Sequence, residues 1–117
     1  MTSHVWETLW WLLVAHALTD YALQPSEMAT HKNPFYRGKD MAHGPWWWTM
    51  GAHALINGGG VALVTGSWIL GVAETVVHGL MDTIKCSLCM EPQHVRVATW
   101  IDQGIHLLSK TLWALCT

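Results

Sequence analysis

The stretch His-Gly-Leu-Met-Asp-Thr-Ile-Lys, residues 78–85, places a histidine four residues before an aspartate within an apolar segment. Four residues are just over one turn of an α-helix, so the two side chains project from one helix face. The same spacing between a histidine and an oxygen-bearing polar residue recurs in three other apolar segments, in the pairs His16 and Asp20, His53 and Asn57, and Asp102 and His106. The chain is therefore predicted to carry a pair of potential ligands on each of four helices.

The composition is that of a hydrophobic chain with few charges. Of the 117 residues, 51% are hydrophobic and 12% are charged, whereas about 25% of residues are charged in an ordinary soluble domain. This deficit predicts that the chain lies in a lipid bilayer, which would be its main partner. The formal net charge of −2 argues against a basic surface, so no nucleic acid is expected among its partners.

Four apolar segments come close to the length of about 20 residues with which a helix crosses a bilayer. They cover residues 5–23, 46–65, 68–85 and 94–115, and the one long polar loop separates the first two. Short connections make successive helices antiparallel neighbours, and no change in composition marks a second domain. The sequence thus predicts a single all-α domain over residues 1–117, a four-helix transmembrane bundle with a polar, metal-binding interior.

The polar pairs lie at similar depths in this predicted bundle. Counted from the helix ends beside the long loop, at about 1.5 Å per residue, all four pairs fall within roughly 5 to 18 Å of one membrane face. Most of the lysine and arginine residues lie on or beside the same face. The positive-inside rule then predicts a bacterial inner-membrane protein with the site near the cytoplasmic face and both termini outside.

Histidine nitrogen combined with carboxylate oxygen is a ligand mixture that borderline divalent metals accept. Its recurrence at one depth favours an internal site for one or two divalent ions, with zinc the preferred metal. The predicted metal ligands are His16, Asp20, His53, His78, Asp82, Asp102 and His106. Hydrogen-bonded structural histidines are the alternative, since a histidine taken alone more often has that role.

A metal site of this kind suggests hydrolysis, because bound divalent ions lower the pKa of water and polarise phosphoryl oxygens. One aspartate that does not bind the metal would act as general base, and Lys32 or Lys85 would hold the phosphate. The predicted catalytic residues are Asp20, Asp82, Asp102, Lys32 and Lys85. The expected function is a membrane metal-dependent hydrolase that acts on a phosphoester of a lipid or another amphiphile. Lys85 could instead neutralise Asp82 or extend to the membrane interface.

Several other residues are expected to lie outside the site. Glu74 would sit deeper than the pairs, and Lys110 is expected to face the far interface. Cys86 and Cys89 form one C-x-x-C without a second pair and are interpreted as ordinary residues at a helix end. The glycine run 58–60 either lets neighbouring helices approach closely or breaks its helix. Four histidines in loops or at helix ends are expected to be solvated: His4, His31, His43 and His94.

The polar motifs resemble those of the bacterial and phage family catalogued as domain of unknown function 3307. The resemblance lies in HALTDYALQ (residues 16–24), Lys32, His53, HGLMDTIK (residues 78–85) and DQGIH (residues 102–106), and it covers nearly the whole chain. It implies a membrane protein but no particular activity. More distantly, the helices with histidine and aspartate are similar to inner-membrane proteins of the YdjM type, which are regarded as metal-dependent hydrolases.

Two other functions fit the same residues. Histidines and aspartates inside a membrane also act as relays, so a transporter or channel for metal ions or protons is one alternative. The apolar runs 9–14 and 61–64 favour a one-sided site over a continuous pathway. The other alternative is a non-enzymatic phage or host membrane factor whose polar pairs lock the helices together. A soluble helical bundle is the architectural alternative, because several segments are interrupted.

Overall fold

A computed structural model describes residues 2–36 and 44–117, with the backbone alone for Glu27. His43, which was expected to be solvated, lies outside the described residues. The described residues form four long helices and one short helix. They are α1 (Ser3–Ala17), which continues into a π-helical segment (Leu18–Ala22), α2 (Ser26–His31), α3 (Trp46–Thr65), α4 (Trp68–Leu88) and, after a 3₁₀ turn (Pro92–His94), α5 (Val95–Leu115).

The four long helices form a closed ring. In this ring α1 contacts α3 and α5, and α4 also contacts α3 and α5. A two-residue turn joins α3 to α4, in which Gly66 adopts a left-handed φ of 69° that glycine tolerates without steric cost. Ser67 then caps α4, since its hydroxyl oxygen accepts a hydrogen bond from the Leu70 backbone N–H. The ring places the helix faces that carry the polar pairs against one another.

The glycine run does not break its helix, because α3 is continuous through residues 58–60. A Cβ added at Gly58 would collide with the Thr75 side chain and with the carbonyl oxygen of Gly71, while a Cβ at Gly71 would meet Ala62. These two glycines therefore let α3 and α4 approach closely, which is the first of the two predicted alternatives.

The interior is mostly polar. A small apolar cluster is formed by Leu12, Val61 and Ala114, with partly buried hydrophobic residues packed around it. The buried hydrophobic residues number six, whereas thirteen described residues with polar or charged side chains are buried. Burial of a charge is unfavourable unless the charge is paired. The polar interior must therefore be stabilised by specific contacts between its side chains.

The prediction of a transmembrane bundle is wrong. Across residues 2–36 and 44–117, no helix combines the length and the apolar character that crossing a bilayer would need. Helix α1 has only 15 residues, against about 20 for a bilayer span, and α4 and α5 carry three charged residues each. In α3, tryptophan, glycine, histidine and asparagine lower the mean hydropathy. The expectation of an inner-membrane protein with a cytoplasmic site and external termini is overturned by the same finding.

Candidate metal centre

Three separate elements contribute to one buried group of potential ligands. His53 comes from α3, His78 and Asp82 come from α4, and Asp20 comes from the π-helical segment after α1. One ligand atom of each residue lies within 4.8 Å of the corresponding atom of every other. All four side chains are buried. The structure thus brings together four of the predicted metal ligands.

The ligand atoms of this group are close enough to share one metal ion. His53 Nε2 lies 3.0 Å from His78 Nε2, 3.1 Å from Asp20 Oδ1 and 3.2 Å from Asp82 Oδ2. His78 Nε2 lies 3.4 Å from the same Asp20 oxygen. Ligands held about 2.0–2.1 Å from a zinc ion at tetrahedral positions are about 3.3–3.4 Å apart. The group therefore combines nitrogen and oxygen donors at separations that could hold a metal ion.

The electrostatics of the group attract positive charge. Burial alone would raise the pKa of Asp20, but hydrogen bonds from His53 and His78 outweigh burial and hold it below its usual range. Burial alone would lower the pKa of His78, but the Asp20 and Glu74 carboxylates raise it. Since His53 Nε2 carries at most one proton, it cannot hydrogen-bond to all three neighbouring ligand atoms at once. A cation between these atoms would interact favourably with all of them.

The π-helical segment positions Asp20. Within it, the Thr19 hydroxyl lies 2.6 Å from Asn57 Oδ1 and donates a hydrogen bond to it. Asn57 Nδ2 in turn donates to the backbone carbonyl of His53 at 3.0 Å. Widened π turns inside helices frequently occur at functional sites. Asn57, the partner of His53 in the sequence pattern, therefore connects the π-helical segment to α3.

Asp102 and His106 on α5 form a second group with Asp82. His106 Nε2 lies 3.2 Å from Asp102 Oδ1, but the two atoms are not aligned for a hydrogen bond, and both are buried without another partner within the described residues. Burial alone would raise the pKa of Asp102, but His106 and Lys85 lower it. Asp82 therefore belongs both to this group and to the four-residue group.

His16 is the predicted ligand that stands apart. Its Nε2 lies 3.8 Å from Asp20 Oδ2, and its ring packs on that of His106 with a centroid separation of 5.0 Å. Burial, reinforced by Lys110, lowers the pKa of His16 to about 4, which keeps the imidazole neutral. It belongs to none of the ligand groups found in the described ranges, and its role as a ligand stays a prediction. Of the histidines expected to be solvated, His4 and His94 are exposed and His31 is half-buried.

Two lysines neutralise carboxylates of the site. Lys32, which follows α2, is buried and its Nζ bonds to Asp82 Oδ2. Lys85 is partly exposed, and its Nζ donates to Asp102 Oδ2 at 2.8 Å. Burial alone would lower the pKa of Lys85, but Asp102 raises it, so the ammonium stays charged. The neutralising contact expected between Lys85 and Asp82 is made by Lys32 instead.

Glu74 and Lys110 form a buried ion pair that sequence reasoning missed. Lys110 Nζ lies 2.5 Å from Glu74 Oε1, Trp113 Nε1 donates to Glu74 Oε2 at 2.7 Å, and His78 Nδ1 is 3.5 Å from Glu74 Oε1. Burial alone would raise the pKa of Glu74, but His78 and Lys110 lower it to about 2. The expectation that Lys110 faces outward is wrong, since it is 1% exposed. Glu74 precedes His78 by four residues. This spacing is the sequence signal that places Glu74 beside the ligand group.

A pocket of about 200 Å³ opens beside the metal ligands. Its walls include the charged groups of Asp82, Lys32 and Lys85 and the two cysteines at the end of α4, Cys86 and Cys89. Both cysteines are free thiols, and burial raises the pKa of Cys86. Neither belongs to a ligand group within the described residues. Asp82, one of the four potential metal ligands, lines this pocket.

Comparison with known families matches residues 8–115 to the family described as "Protein of unknown function (DUF3307)". The chain belongs to the DUF3307 family. The resemblance predicted from the motifs is confirmed, and the match spans all the residues of the metal groups. The more distant likeness to YdjM-type proteins is not shown. No curated protein and no solved structure matches the chain.

The charges in the interior of this DUF3307 member nearly cancel. The site and the adjoining ion pair contain four carboxylates and three ammonium groups, from Asp20, Glu74, Asp82, Asp102, Lys32, Lys85 and Lys110. With the histidines neutral, as binding of a metal requires, one negative charge remains in excess. One divalent cation would convert this to one positive charge, which a single anion could balance. A second dication would leave three positive charges in a buried space, at a much larger electrostatic cost.

Proposed function

We propose that this protein is a metal-dependent hydrolase that holds one divalent ion, zinc by preference, between Asp20, His53, His78 and Asp82. The observation that supports it is the convergence of two imidazole nitrogens and two carboxylate oxygens on one buried point. Two nitrogen and two oxygen donors at these separations suit zinc. One ion is proposed rather than two because the charges of the interior accommodate only one dication.

A zinc ion held by these residues would supply a Lewis acid that lowers the pKa of water and polarises a phosphoryl oxygen. Asp102 is proposed to take the proton of the attacking water, because its Oδ1 is buried without a hydrogen bond and lies in one group with Asp82. As the new phosphorus–oxygen bond forms, the ester phosphorus–oxygen bond breaks. Asp102 then returns the proton to the departing alkoxide oxygen. Lys85, which donates a hydrogen bond to Asp102 Oδ2 at 2.8 Å, would hold this carboxylate in place.

The proposed substrate is a phosphate ester, and the pocket is the basis for this choice. Lys32 and Lys85 line the pocket and would attract a phosphoryl group toward Asp82. Its volume of about 200 Å³ is below the roughly 300–1,000 Å³ of pockets that enclose a drug-sized ligand. The phosphoryl group would enter while a larger remainder, such as the chain of an amphiphile, stays outside.

Metal analysis of the purified protein tests the metal site. We expect about one zinc ion per chain in the wild type and almost none in His78→Ala, because the variant loses a central nitrogen donor. His94→Ala is the matched control, since His94 is exposed and belongs to no ligand group of the described residues, and it should retain the metal. A wild type without stoichiometric metal, or equal metal content in His78→Ala, would contradict the proposed site.

Phosphate release from p-nitrophenyl phosphate and from amphiphilic phosphate monoesters tests the hydrolase. Asp102→Asn should keep its zinc but lose activity by a factor of about 10² to 10⁴, the usual contribution of a general base. Zinc-loaded wild type that releases phosphate from none of these esters would remove the hydrolase and leave the metal site standing. Full activity in Asp102→Asn would assign the proton transfer to another residue.

A further inference from the structure

Lys32 occupies an oxygen atom that the proposed metal would need. Its Nζ contacts Asp82 Oδ2, and the same oxygen lies 3.2 Å from His53 Nε2 and 3.8 Å from His78 Nε2. An ammonium and a divalent cation on one buried carboxylate oxygen would repel each other at short range, where solvent screens poorly. The metal and Lys32 therefore compete for Asp82. Lys85 does not compete in this way, because its partner is Asp102.

The pocket offers the space into which a displaced Lys32 side chain can move. Lys32 already lines it, and so do Lys85 and the polar side chains of Gln24 and Asn33. Lys85 Nζ has three donor hydrogens, and its hydrogen bond to Asp102 uses one of them. A Lys32 ammonium in the pocket would have no carboxylate partner of its own once the metal holds Asp82. Two neighbouring ammonium groups with free donors form a site for a phosphoryl anion.

We propose that metal loading displaces the Lys32 ammonium from Asp82 into the pocket, where Lys32 and Lys85 together create a phosphoryl-binding site that the metal-free protein lacks. This inference rests on the proposed metal site and adds an order of events, in which the metal binds first and the phosphorylated ligand second. The positive charge that the metal adds to the interior also favours the binding of an anion after the metal. By thermodynamic linkage, phosphate must then strengthen metal binding by the same factor.

Calorimetric titration with inorganic phosphate tests the order of binding. Phosphate is titrated into metal-free protein and into zinc-loaded protein from which free zinc has been removed by dialysis. We expect zinc loading to tighten phosphate binding by a factor of about 5 to 150, the usual range of coupling between two sites. Equal phosphate affinity with and without zinc would overturn the inference.

Substitution of each lysine separates this coupling from simple contact between phosphate and zinc. Lys32→Met should bind zinc more tightly than the wild type, because the competing ammonium is gone, and should lose most of the zinc-dependent gain in phosphate affinity. Lys85→Met should weaken phosphate binding while changing zinc affinity less than Lys32→Met does. Arg96→Met is the matched control, since it removes one positive charge from an exposed position of α5 and should change neither affinity.

The outcomes distinguish this inference from the proposed function. If the wild type binds no zinc, the metal site fails and the inference fails with it. If zinc binds but Lys32→Met shows wild-type coupling or weaker zinc binding, the lysine displacement is wrong and the metal site stands. Circular dichroism checks that each variant is folded. Should Lys32→Met not fold, Lys32→Gln, which also lacks the positive charge, takes its place with the same expected results.

Discussion

The same four helices build an apolar end and a polar end that are stabilised in different ways. At the apolar end, Leu12, Val61 and Ala114 pack together without directional contacts. At the polar end, one turn or more away on the same helices, His53 and His106 are buried among carboxylates and other imidazoles. Apolar packing depends on volume, whereas buried charges depend on the identity of each partner. Substitutions at the two ends should therefore have different consequences.

The ion pair between Glu74 and Lys110 lies where the two ends meet. Trp113 packs against the apolar cluster and donates its Nε1 hydrogen to Glu74. On the other side, Glu74 approaches Nδ1 of His78, whose Nε2 belongs to the four-residue ligand group. A carboxylate beside the second nitrogen of a metal-binding histidine fixes the orientation of the ring. Glu74 thus links the stability of the bundle to the geometry of the proposed metal site.

The largest effect on stability is expected from breaking this link. Lys110→Met leaves Glu74 buried without its ammonium partner, which should lower the free energy of unfolding by about 4 kcal/mol. Urea denaturation measures the change. The double variant Glu74→Leu/Lys110→Met removes both charges and should recover most of the loss. If Lys110→Met lowers the free energy of unfolding by less than about 1 kcal/mol, the ion pair does not connect the two ends of the bundle.

A substitution at the apolar end should affect stability and leave the metal site intact. Leu12→Ala removes a fully buried side chain and should lower the free energy of unfolding by about 3 kcal/mol through lost burial and the remaining cavity. Its zinc content should equal that of the wild type, in contrast to His78→Ala. Loss of zinc from folded Leu12→Ala would mean that the two ends are not independent.

A smaller effect on the free energy of unfolding is expected from the contact between α3 and α4. Both helices contribute to the apolar end and to the polar end. Gly58→Ala should lower the free energy of unfolding by about 2 kcal/mol, because the added methyl group meets Thr75 and the backbone carbonyl of Gly71. Gly59→Ala is the matched control, since nothing lies within 4 Å of its added Cβ. The control should gain up to about 1 kcal/mol from the higher helix propensity of alanine. Equal effects in the two variants would contradict the close approach.

Much of the local structure could be predicted from the sequence. Residues 46–65 were expected to form one helix, and α3 has these bounds. The four-residue spacing put His78 and Asp82 on one face of α4, and counting residues along the helices placed the polar pairs at one level. The prediction of a membrane span failed because α1 is too short, α4 and α5 carry three charged residues each, and tryptophan, glycine, histidine and asparagine lower the hydropathy of α3. Lys110 was misplaced because it was expected to reach a membrane interface, whereas it is buried against Glu74.

The sequence by itself determined the helices and the face on which each polar pair lies, because both depend on contacts between residues a few positions apart. Only the tertiary structure decided which side chains meet. The contact of Lys32 with Asp82 joins residues 50 positions apart, and the contact of Glu74 with Lys110 joins residues 36 positions apart. Helical periodicity does not fix how each helix is rotated against its neighbours or where a π turn shifts Asp20. These rotations determine whether separate pairs remain structural or form one metal centre.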